Sequence, residues 1–147
     1  MSDSDLIKLY SQRILALAAD IPHLGRLDHP TATARRRSPL CGSTVAVDLD
    51  VKDGKITNYA QDVKACALGQ AAAAVVGDVI IGRTRAEVER ARDELRAMLK
   101  ENGPVPSEPF AGLEVLLPAR DYKNRHASIM LALEAAAEAF ASAEAAA

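Results

Sequence analysis

Two cysteines and one histidine are the residues of this chain whose types and positions suggest metal chemistry. Cys41 lies in the segment Pro39–Gly42, whose proline and glycine are expected to fix a turn that presents the thiol. Cys66 lies between a predicted strand and a predicted helix, and the free N–H groups and dipole at a helix start favour the thiolate that binds metal. His126, near the start of the last predicted helix, joins them only if the fold brings it to the two thiols.

Other functions of these three residues remain open at this point. Free cysteines are among the most buried residue types, so each thiol could also be a small core residue. The chain has no C-x-x-C sequence and no histidine pair at metal-ligand spacing, so a zinc finger is not supported. A hydrolase with Cys41 or Cys66 as nucleophile and His126 as base has the right residue types but no local nucleophile motif.

The segment 77–84 imitates a phosphate-binding loop. Arg83 stands where that loop needs a lysine, and an alanine-rich helix is predicted where the loop needs a strand. We therefore expect structural roles instead: Gly82 ends one helix and Thr84 caps the next.

The first half of the chain is predicted to position Cys41. Apolar residues at helical spacing predict a first helix from Leu6 to near Asp20. The segment 23–39 has no periodicity and is expected to be an irregular, exposed connection. Its basic run Arg35–Arg37, close to Cys41, is either a solvated surface or a docking surface for phosphate or an acidic partner.

A hairpin and several helices are predicted to position Cys66 and His126. Val45 to Val51 alternates with polar residues, and Asp53-Gly54 is a hairpin signal, so Ile56 to Val63 should return antiparallel. The later predicted helices begin after Cys66, at the capping box of Thr84 and Glu87, near Phe110 and near Asn124. Strands followed by helices predict an α+β fold with the helices packed on one face of a small antiparallel sheet. We expect one domain over residues 1–140 and a fraying alanine-rich tail over 141–147.

Composition excludes several classes of function. The 147 residues, 49% of them hydrophobic, suffice for one domain with a core. A net charge of −2 creates no general attraction to nucleic acid or an anionic membrane. The acidic start of the chain lacks the basic region of a secretory signal, and no apolar run is long enough to span a bilayer. We therefore expect a cytoplasmic protein whose two cysteines stay reduced.

The order of these features resembles the U-type iron–sulfur cluster assembly scaffolds, the family of IscU, SufU and the amino-terminal domain of NifU. The resemblance runs from Leu9 to about Ala135 and rests on Leu9-Tyr10, the Pro-x-Cys-Gly turn at Cys41, the Asp-Gly hairpin, and the helix start Cys66-Ala67-Leu68. It implies an IscU-like fold with a three-stranded antiparallel sheet and helices on one face.

The resemblance also implies a set of site residues. Two of the family's three cysteines match Cys41 and Cys66, and the third falls on Arg125-His126-Ala127, so His126 would replace a thiolate with an imidazole. Zinc accepts mixed Cys and His ligation, and some iron–sulfur centres use His. The family's Asp two residues after the first cysteine is Ser43 here, a poorer ligand, which implies a weaker or more labile site. Arg125 would stand beside it and stabilise thiolates or a bound persulfide.

The resemblance implies a scaffold or carrier protein, not an enzyme. Such a scaffold binds iron, or zinc in isolation, and carries a transient [2Fe-2S] cluster. Its partners would be a cysteine desulfurase and apo-protein cluster acceptors, and whether it forms a homodimer around a cluster is left open. The alternative is a divergent adaptor, zinc-binding or metal-free, that interacts with the assembly machinery without assembling clusters.

Overall fold

The structure, a computed structural model, describes residues 10–39 and 42–146. Among these residues, the helix α1 (Gln12–Ala19) comes first. It is followed by three strands, β1 (Ala32–Arg37), β2 (Thr44–Lys52) and β3 (Lys55–Lys64). The later elements are α2 (Ala67–Val79), α3 (Arg85–Lys100), a 3-10 segment (Ala111–Asp121) and α4 (Lys123–Ala146). The predicted α+β class is confirmed.

The sheet is antiparallel, with the strands in the order β1-β2-β3. The predicted hairpin is confirmed: β2 and β3 are joined through Asp53 and Gly54, whose φ angles of 54° and 76° are the positive values that a tight hairpin turn requires. The pairs Val45↔Val63 and Thr44↔Lys64 bring the start of β2 beside the end of β3. The residues that precede β2 and those that follow β3 therefore lie at the same end of the sheet.

The prediction of an irregular connection over residues 23–39 is wrong at its carboxyl end. Residues 32–37 form the edge strand β1, which pairs with β2 from Ala32↔Leu49 to Arg37↔Thr44. Only Ala32 and Ala34 of this strand are buried, so it has little of the apolar alternation by which strands are recognised. Backbone pairing to β2 decides the conformation here, and that pairing is not visible in the local sequence.

Both ends of the predicted helical pattern also differ from the structure. Among the described residues the first helix begins at Gln12, because the Ser11 hydroxyl accepts a hydrogen bond from the N–H of Ile14 (3.3 Å) and caps it. Residues 6–9 lie outside the described residues. The alanine-rich end, expected to fray, is helical through Ala146, with Ala143 buried and Glu144 paired to Arg85 at 3.2 Å.

The helices lie against one face of the sheet, as predicted. Helix α4 is central: it packs on β1 and β2 on one side and on α2 and α3 on the other. Because α4 is buried on more than one side, apolar residues do not collect on a single face of its sequence. The capping box predicted for α3 is present: Thr84 Oγ1 accepts from the N–H of Glu87 (3.2 Å), and Glu87 Oε1 accepts from the N–H of Thr84 (3.0 Å).

The opposite face of the sheet is covered by the connection between α1 and β1. Asp48 in β2 has a fully buried side chain, and it accepts hydrogen bonds from Arg26 Nε (2.7 Å), Leu27 N (3.0 Å) and Thr33 Oγ1 (2.6 Å). The bond from Arg26 is the main reason that the pKa of Asp48 is lowered. This buried carboxylate fastens the connection to the sheet.

Candidate metal-binding site

Cys66 is the residue on which the described part of the site is built. It is the N-cap of α2 and its backbone is extended (φ −68°, ψ 170°), while its carbonyl already accepts the first helical bond from Gln70 N (2.9 Å). Its side chain makes no capping bond to the backbone, so the thiol is not used to satisfy the helix start. Cys66 is half-buried and forms no disulfide. A thiol in this position is accessible and adjoins the positive end of a helix dipole.

Two serines join Cys66 to the turn before β2. The Oγ atom of Ser128, in the second turn of α4, lies 3.5 Å from Cys66 Sγ. The same hydroxyl donates to Ser43 Oγ at 3.2 Å. Ser128 and Ser43 are 1% and 5% exposed, so this chain of polar groups is enclosed by protein. Three segments that are far apart in the sequence therefore meet at one thiol.

Cys41 itself lies outside the described residues, and the described residues on its two sides are hydrogen-bonded to one another. The N–H of Ser38 donates to the carbonyl of Ser43 (2.8 Å), and the N–H of Gly42 donates to the carbonyl of Ser38 (3.0 Å). Gly42 has a φ of 72°, a conformation that glycine adopts without strain. The described residues that flank Cys41 therefore lie at the start of β2.

His126 points to a different part of the molecule. The ring is 3% exposed, and Nε2 lies 2.9 Å from the carbonyl oxygen of Ala119 and 3.0 Å from that of Arg120. Carbonyls only accept hydrogen bonds, so Nε2 carries the proton and Nδ1 is the nitrogen that remains available as an acceptor. His126 borders a cleft of about 440 Å³ between the end of α3 and the start of α4.

The helix geometry explains why Ser128 and not His126 contacts Cys66. Successive residues of an α-helix are turned by about 100°, so residues two apart point in nearly opposite directions. Once Ser128 faces Cys66, His126 faces the 3-10 segment. Arg125, predicted to assist the site, is half-buried at the start of α4, where its N–H donates to the carbonyl of Tyr122 (2.9 Å). Within residues 10–39 and 42–146, no three His, Cys, Asp or Glu side chains are grouped closely enough to hold a metal ion.

A cationic corner, which we define as Arg35, Arg37 and Lys64, lies at the same end of the sheet as Cys66. The register places Arg37 and Lys64 on either side of Thr44, and Arg35 two residues before Arg37 on the same face. All three side chains are exposed, and none is paired with a carboxylate of the described residues. Arg36, by contrast, lies on the other face, where its Nη1 is 3.9 Å from Glu138 of α4.

Ser128 and Gly69 are site residues that sequence reasoning missed. A Cβ atom on Gly69 would lie 2.5 Å from Ser128 Oγ, so the absence of a side chain there is what allows α4 to approach α2 at Cys66. The available signals were a glycine three residues after a cysteine and a serine within an otherwise apolar segment. Neither signal points to the other without the fold.

This fold and site together define a class: a small α+β protein that presents a helix-start thiol beside a turn at one end of a three-stranded sheet. Comparison with protein-family models assigns residues 9–143 to the NifU-like N terminal domain. The chain therefore belongs to the NifU-like N-terminal domain family. The resemblance inferred from the motifs is confirmed, as is the IscU-like fold.

Two solved structures illustrate the relationship. One, described as the N-terminal part of a nitrogen-fixing NifU-like protein from Brucella abortus, is 45% identical, covers 96% of this chain and 98% of its own, and has a TM-score of 0.93. The other, described as a putative iron–sulfur cluster assembly scaffold protein for the SUF system of Fervidobacterium islandicum AW-1, is 19% identical, covers 91% and 98%, and has a TM-score of 0.82. The second likeness concerns the fold alone. Comparison with curated proteins gave no match.

Among the residues that the structure describes, none of the helices is both long and apolar enough to cross a membrane.

Proposed function

We propose that this chain is a scaffold for iron–sulfur cluster assembly, and that Cys41 and Cys66 are the thiolates that hold iron and a transient [2Fe-2S] cluster. Membership in the NifU-like family supports the scaffold role. The relative from Fervidobacterium islandicum, described as a cluster assembly scaffold, has the same fold. The protein acts as a carrier of its cargo and not as a catalyst in this proposal.

One observation carries the proposal: Cys66 is connected through Ser128 to Ser43, within contacts of 3.5 and 3.2 Å. Cys41 is only two residues from Ser43, and two residues span at most about 7 Å. This short separation supports a shared site for Cys41 and Cys66. Two thiolates in one site would suit soft metals such as iron in clusters, or zinc.

Anaerobic reconstitution with iron, sulfide and a cysteine desulfurase tests the scaffold role. We expect the visible absorbance of a cluster in the wild-type chain and its loss in Cys41→Ser and in Cys66→Ser. Ser142→Ala, at an exposed position of α4 fourteen residues beyond Ser128, serves as a control for handling. No cluster absorbance in the wild-type chain, or absorbance equal to the wild-type value in both cysteine variants, would refute the proposal.

His126 stays a predicted ligand, and it could bind metal only through its Nδ1 atom. Because Nε2 donates to the carbonyls of Ala119 and Arg120, only Nδ1 is available to bind metal. A carbonyl bond to the other ring nitrogen is common for ligating histidines, since it fixes the ring and its tautomer. Metal analysis of His126→Ala against the wild-type chain, both handled anaerobically, measures whether the imidazole takes part.

The cationic corner is proposed as the surface that receives the sulfur donor, a cysteine desulfurase with an acidic docking segment. These three exposed cations, at the same end of the sheet as Cys66 and without a carboxylate partner among the described residues, would orient such a segment and raise its association rate. Zinc or iron delivery and apo-protein acceptors would use the same end of the sheet, because the cargo is held there.

Within the run Arg35–Arg37, Arg36 serves as a control for the binding of the desulfurase. We expect Arg35→Gln and Arg37→Gln to weaken desulfurase binding and its dependence on salt, because both side chains face outward at the corner. Arg36→Gln should leave binding unchanged, since Arg36 faces Glu138 of α4. Titration calorimetry at two salt concentrations measures both effects. Equal weakening by all three variants would assign the effect to net charge and not to the corner.

A second candidate function is a divergent adaptor that binds the assembly machinery without assembling clusters. The observation that favours it is that the side chain in contact with Cys66 is the neutral hydroxyl of Ser128, which in turn contacts the hydroxyl of Ser43, where charged ligands would hold metal more strongly. Equal melting temperatures with and without chelator, together with normal desulfurase binding by a chain lacking both cysteines, would select this function.

A further inference from the structure

The two outer edges of the sheet differ in how their backbone groups are used. On the outer edge of β3, the N–H of Gln61 donates to the carbonyl of His23 (2.9 Å), and the carbonyl of Gln61 accepts from the N–H of Gly25 (2.9 Å). Near the start of β3, the N–H and the carbonyl of Ile56 are bonded in the same way to the loop between α2 and α3 (3.1 and 2.8 Å). The chain therefore closes the edge of β3 at two places.

The outer edge of β1 is open. In an antiparallel sheet, successive residues direct their N–H and C=O groups alternately to one side of the strand and to the other. The N–H of Ser38 donates toward β2, to the carbonyl of Ser43 (2.8 Å), so the alternation can be counted back from there. It directs outward the backbone groups of Thr33, Arg35 and Arg37. None of these groups has a hydrogen-bond partner among the described residues, and all three residues are exposed.

The open edge is positively charged. Arg36 faces α4, where its Nη1 lies 3.9 Å from Glu138, so its neighbours Arg35 and Arg37 face the other side of the sheet. In the described part of the chain neither of these two is paired with a carboxylate. Two copies of this edge would bring their arginines together, and like charges on facing strands are destabilising. The edge therefore suits a segment rich in Asp and Glu better than a second copy of this chain.

We propose that the open edge of β1 binds an extended, acidic segment of a partner protein as a fourth strand of the sheet. The backbone groups of Thr33, Arg35 and Arg37 bond to the segment, and carboxylates on its alternate residues lie beside the two arginines. This inference rests on the proposal for the cationic corner and deepens it, since the arginines belong to both. It adds that the backbone of β1 takes part, and not only its charge.

The strand arrangement separates the two arginines from Lys64, the third member of the cationic corner. Neighbouring strands lie about 4.8 Å apart, so an added strand would lie about 5 Å from β1 and about 14 Å from β3. The larger distance exceeds the Debye length of about 8 Å at physiological ionic strength. A segment held as a strand therefore depends on Lys64 less than on the arginines, whereas a segment held by charge alone would depend on all three.

An alternating peptide tests the backbone contacts. The probe is a fluorescein-labelled octapeptide of four Glu-Val repeats, and its affinity for the full chain is measured by fluorescence anisotropy. Arg35→Gln removes one charge and keeps the N–H, whereas Arg35→Pro removes both. Proline is compatible with this position because the N–H that it lacks points away from β2. We expect Arg35→Pro to bind the peptide about fivefold more weakly than Arg35→Gln, the effect of one lost backbone hydrogen bond. No binding by the wild-type chain, or equal affinities of the two variants, would overturn the inference.

Methylated peptides give the same test without altering the protein, in case the proline variant fails to fold. One peptide is N-methylated on every Glu and the other on every Val, so that both have the same charge and the same number of methyl groups. Alternate N–H groups of a strand face opposite sides, so only one of the two methylated sets can face β1. We expect one peptide to bind at least about tenfold more weakly than the other, because it loses several hydrogen bonds. Equal affinities would contradict the added strand.

Two further measurements separate a strand from attraction by charge alone. Lys64→Gln should weaken peptide binding less than Arg37→Gln, and equal weakening would count against the strand. Hydrogen exchange of the Arg35 and Arg37 amides should slow by at least about tenfold in the peptide complex, because they gain hydrogen bonds. Unchanged exchange would overturn the inference.

The peptide also separates this inference from the choice of partner. If the peptide binds as expected and a cysteine desulfurase does not bind the chain, the proposed partner of the cationic corner is wrong and the open edge stands. If the desulfurase binds and Arg35→Pro weakens that binding no more than Arg35→Gln, the partner stands and the added strand is wrong.

Discussion

Gly69→Ala is the substitution that most directly probes how the site is built. The new Cβ would lie 2.5 Å from Ser128 Oγ, 2.9 Å from Ala65 Cβ and 3.2 Å from the backbone oxygen of Ser128. Two of these atoms cannot rotate away, because one is a backbone atom and the other is the Cβ of a neighbouring alanine. Helix α4 must therefore shift, or Ser128 must leave Cys66.

The expected magnitude is the difference of two opposing effects. Overpacking of a close contact costs about 1–3 kcal/mol. Replacement of a helical glycine by alanine returns up to about 1 kcal/mol. We expect a net loss of about 1 kcal/mol, which for a domain of this size lowers Tm by about 3 °C. Zinc affinity should fall with it, because the group beside Cys66 is displaced.

Gly77→Ala is the matched control in the same helix. Its Cβ would lie 2.6 Å from Gln61 Nε2, which is itself held by the carbonyls of Pro22 and Ala73, so a similar loss of stability is expected. Gly77 lies near the opposite end of α2 from Cys66, so zinc affinity should not change. Thermal unfolding with chelator and zinc competition measure the two quantities. Unchanged affinity in Gly69→Ala, or an equal fall in both variants, would refute the reasoning.

Two further predictions concern the scaffold around the site. Asp48→Asn should cost about 2 kcal/mol at neutral pH, because it removes charge-assisted bonds from a buried carboxylate whose partner Arg26 is 55% exposed. The pKa of Asp48 in the folded protein is lower than its ordinary value of 3.8, so the stability that Asp48 contributes is present above pH 3.8 and is lost as the pH falls through the folded pKa. Urea unfolding from pH 7 to pH 2 should therefore show a shallower loss of stability with acid in Asp48→Asn than in the wild-type chain. An acid dependence equal to that of the wild-type chain would contradict this. Thr84→Ala removes one half of the capping box of α3 and should lower the free energy of unfolding by about 1 kcal/mol, or Tm by about 3 °C. Thr84→Ser keeps the capping hydroxyl and should retain most of the stability. Equal losses in both variants would mean that the hydroxyl does not matter.

The parts of the fold that are encoded locally could be predicted from the sequence. The Asp53-Gly54 hairpin and the capping box of Thr84 and Glu87 each depend on residues within a few positions of one another, and both are present. Strand β1 could not be predicted in this way. It is a short edge strand rich in arginine, and its conformation depends on pairing with β2 about a dozen residues away.

The site was predictable to the extent that it depends on chain position. The helix start at Cys66 follows from the alanine-rich sequence behind it, and the structure places it there. The directions of His126 and Ser128 depend on where α4 begins and how it packs, because each residue of offset turns a side chain by about 100°. No local pattern fixes that rotation. The contact between Ser128 and Cys66 could therefore be found only in three dimensions.

The chain of contacts Cys66–Ser128–Ser43 has a consequence for the order in which the protein becomes competent. Ser128 is 62 residues from Cys66 and 85 from Ser43, so both contacts close long loops. During synthesis, the two cysteines leave the ribosome long before α4 exists to meet them. A nascent chain that ends before Ser128 carries Cys66 without the hydroxyl that contacts it. This chain of contacts is thus complete only in a finished domain.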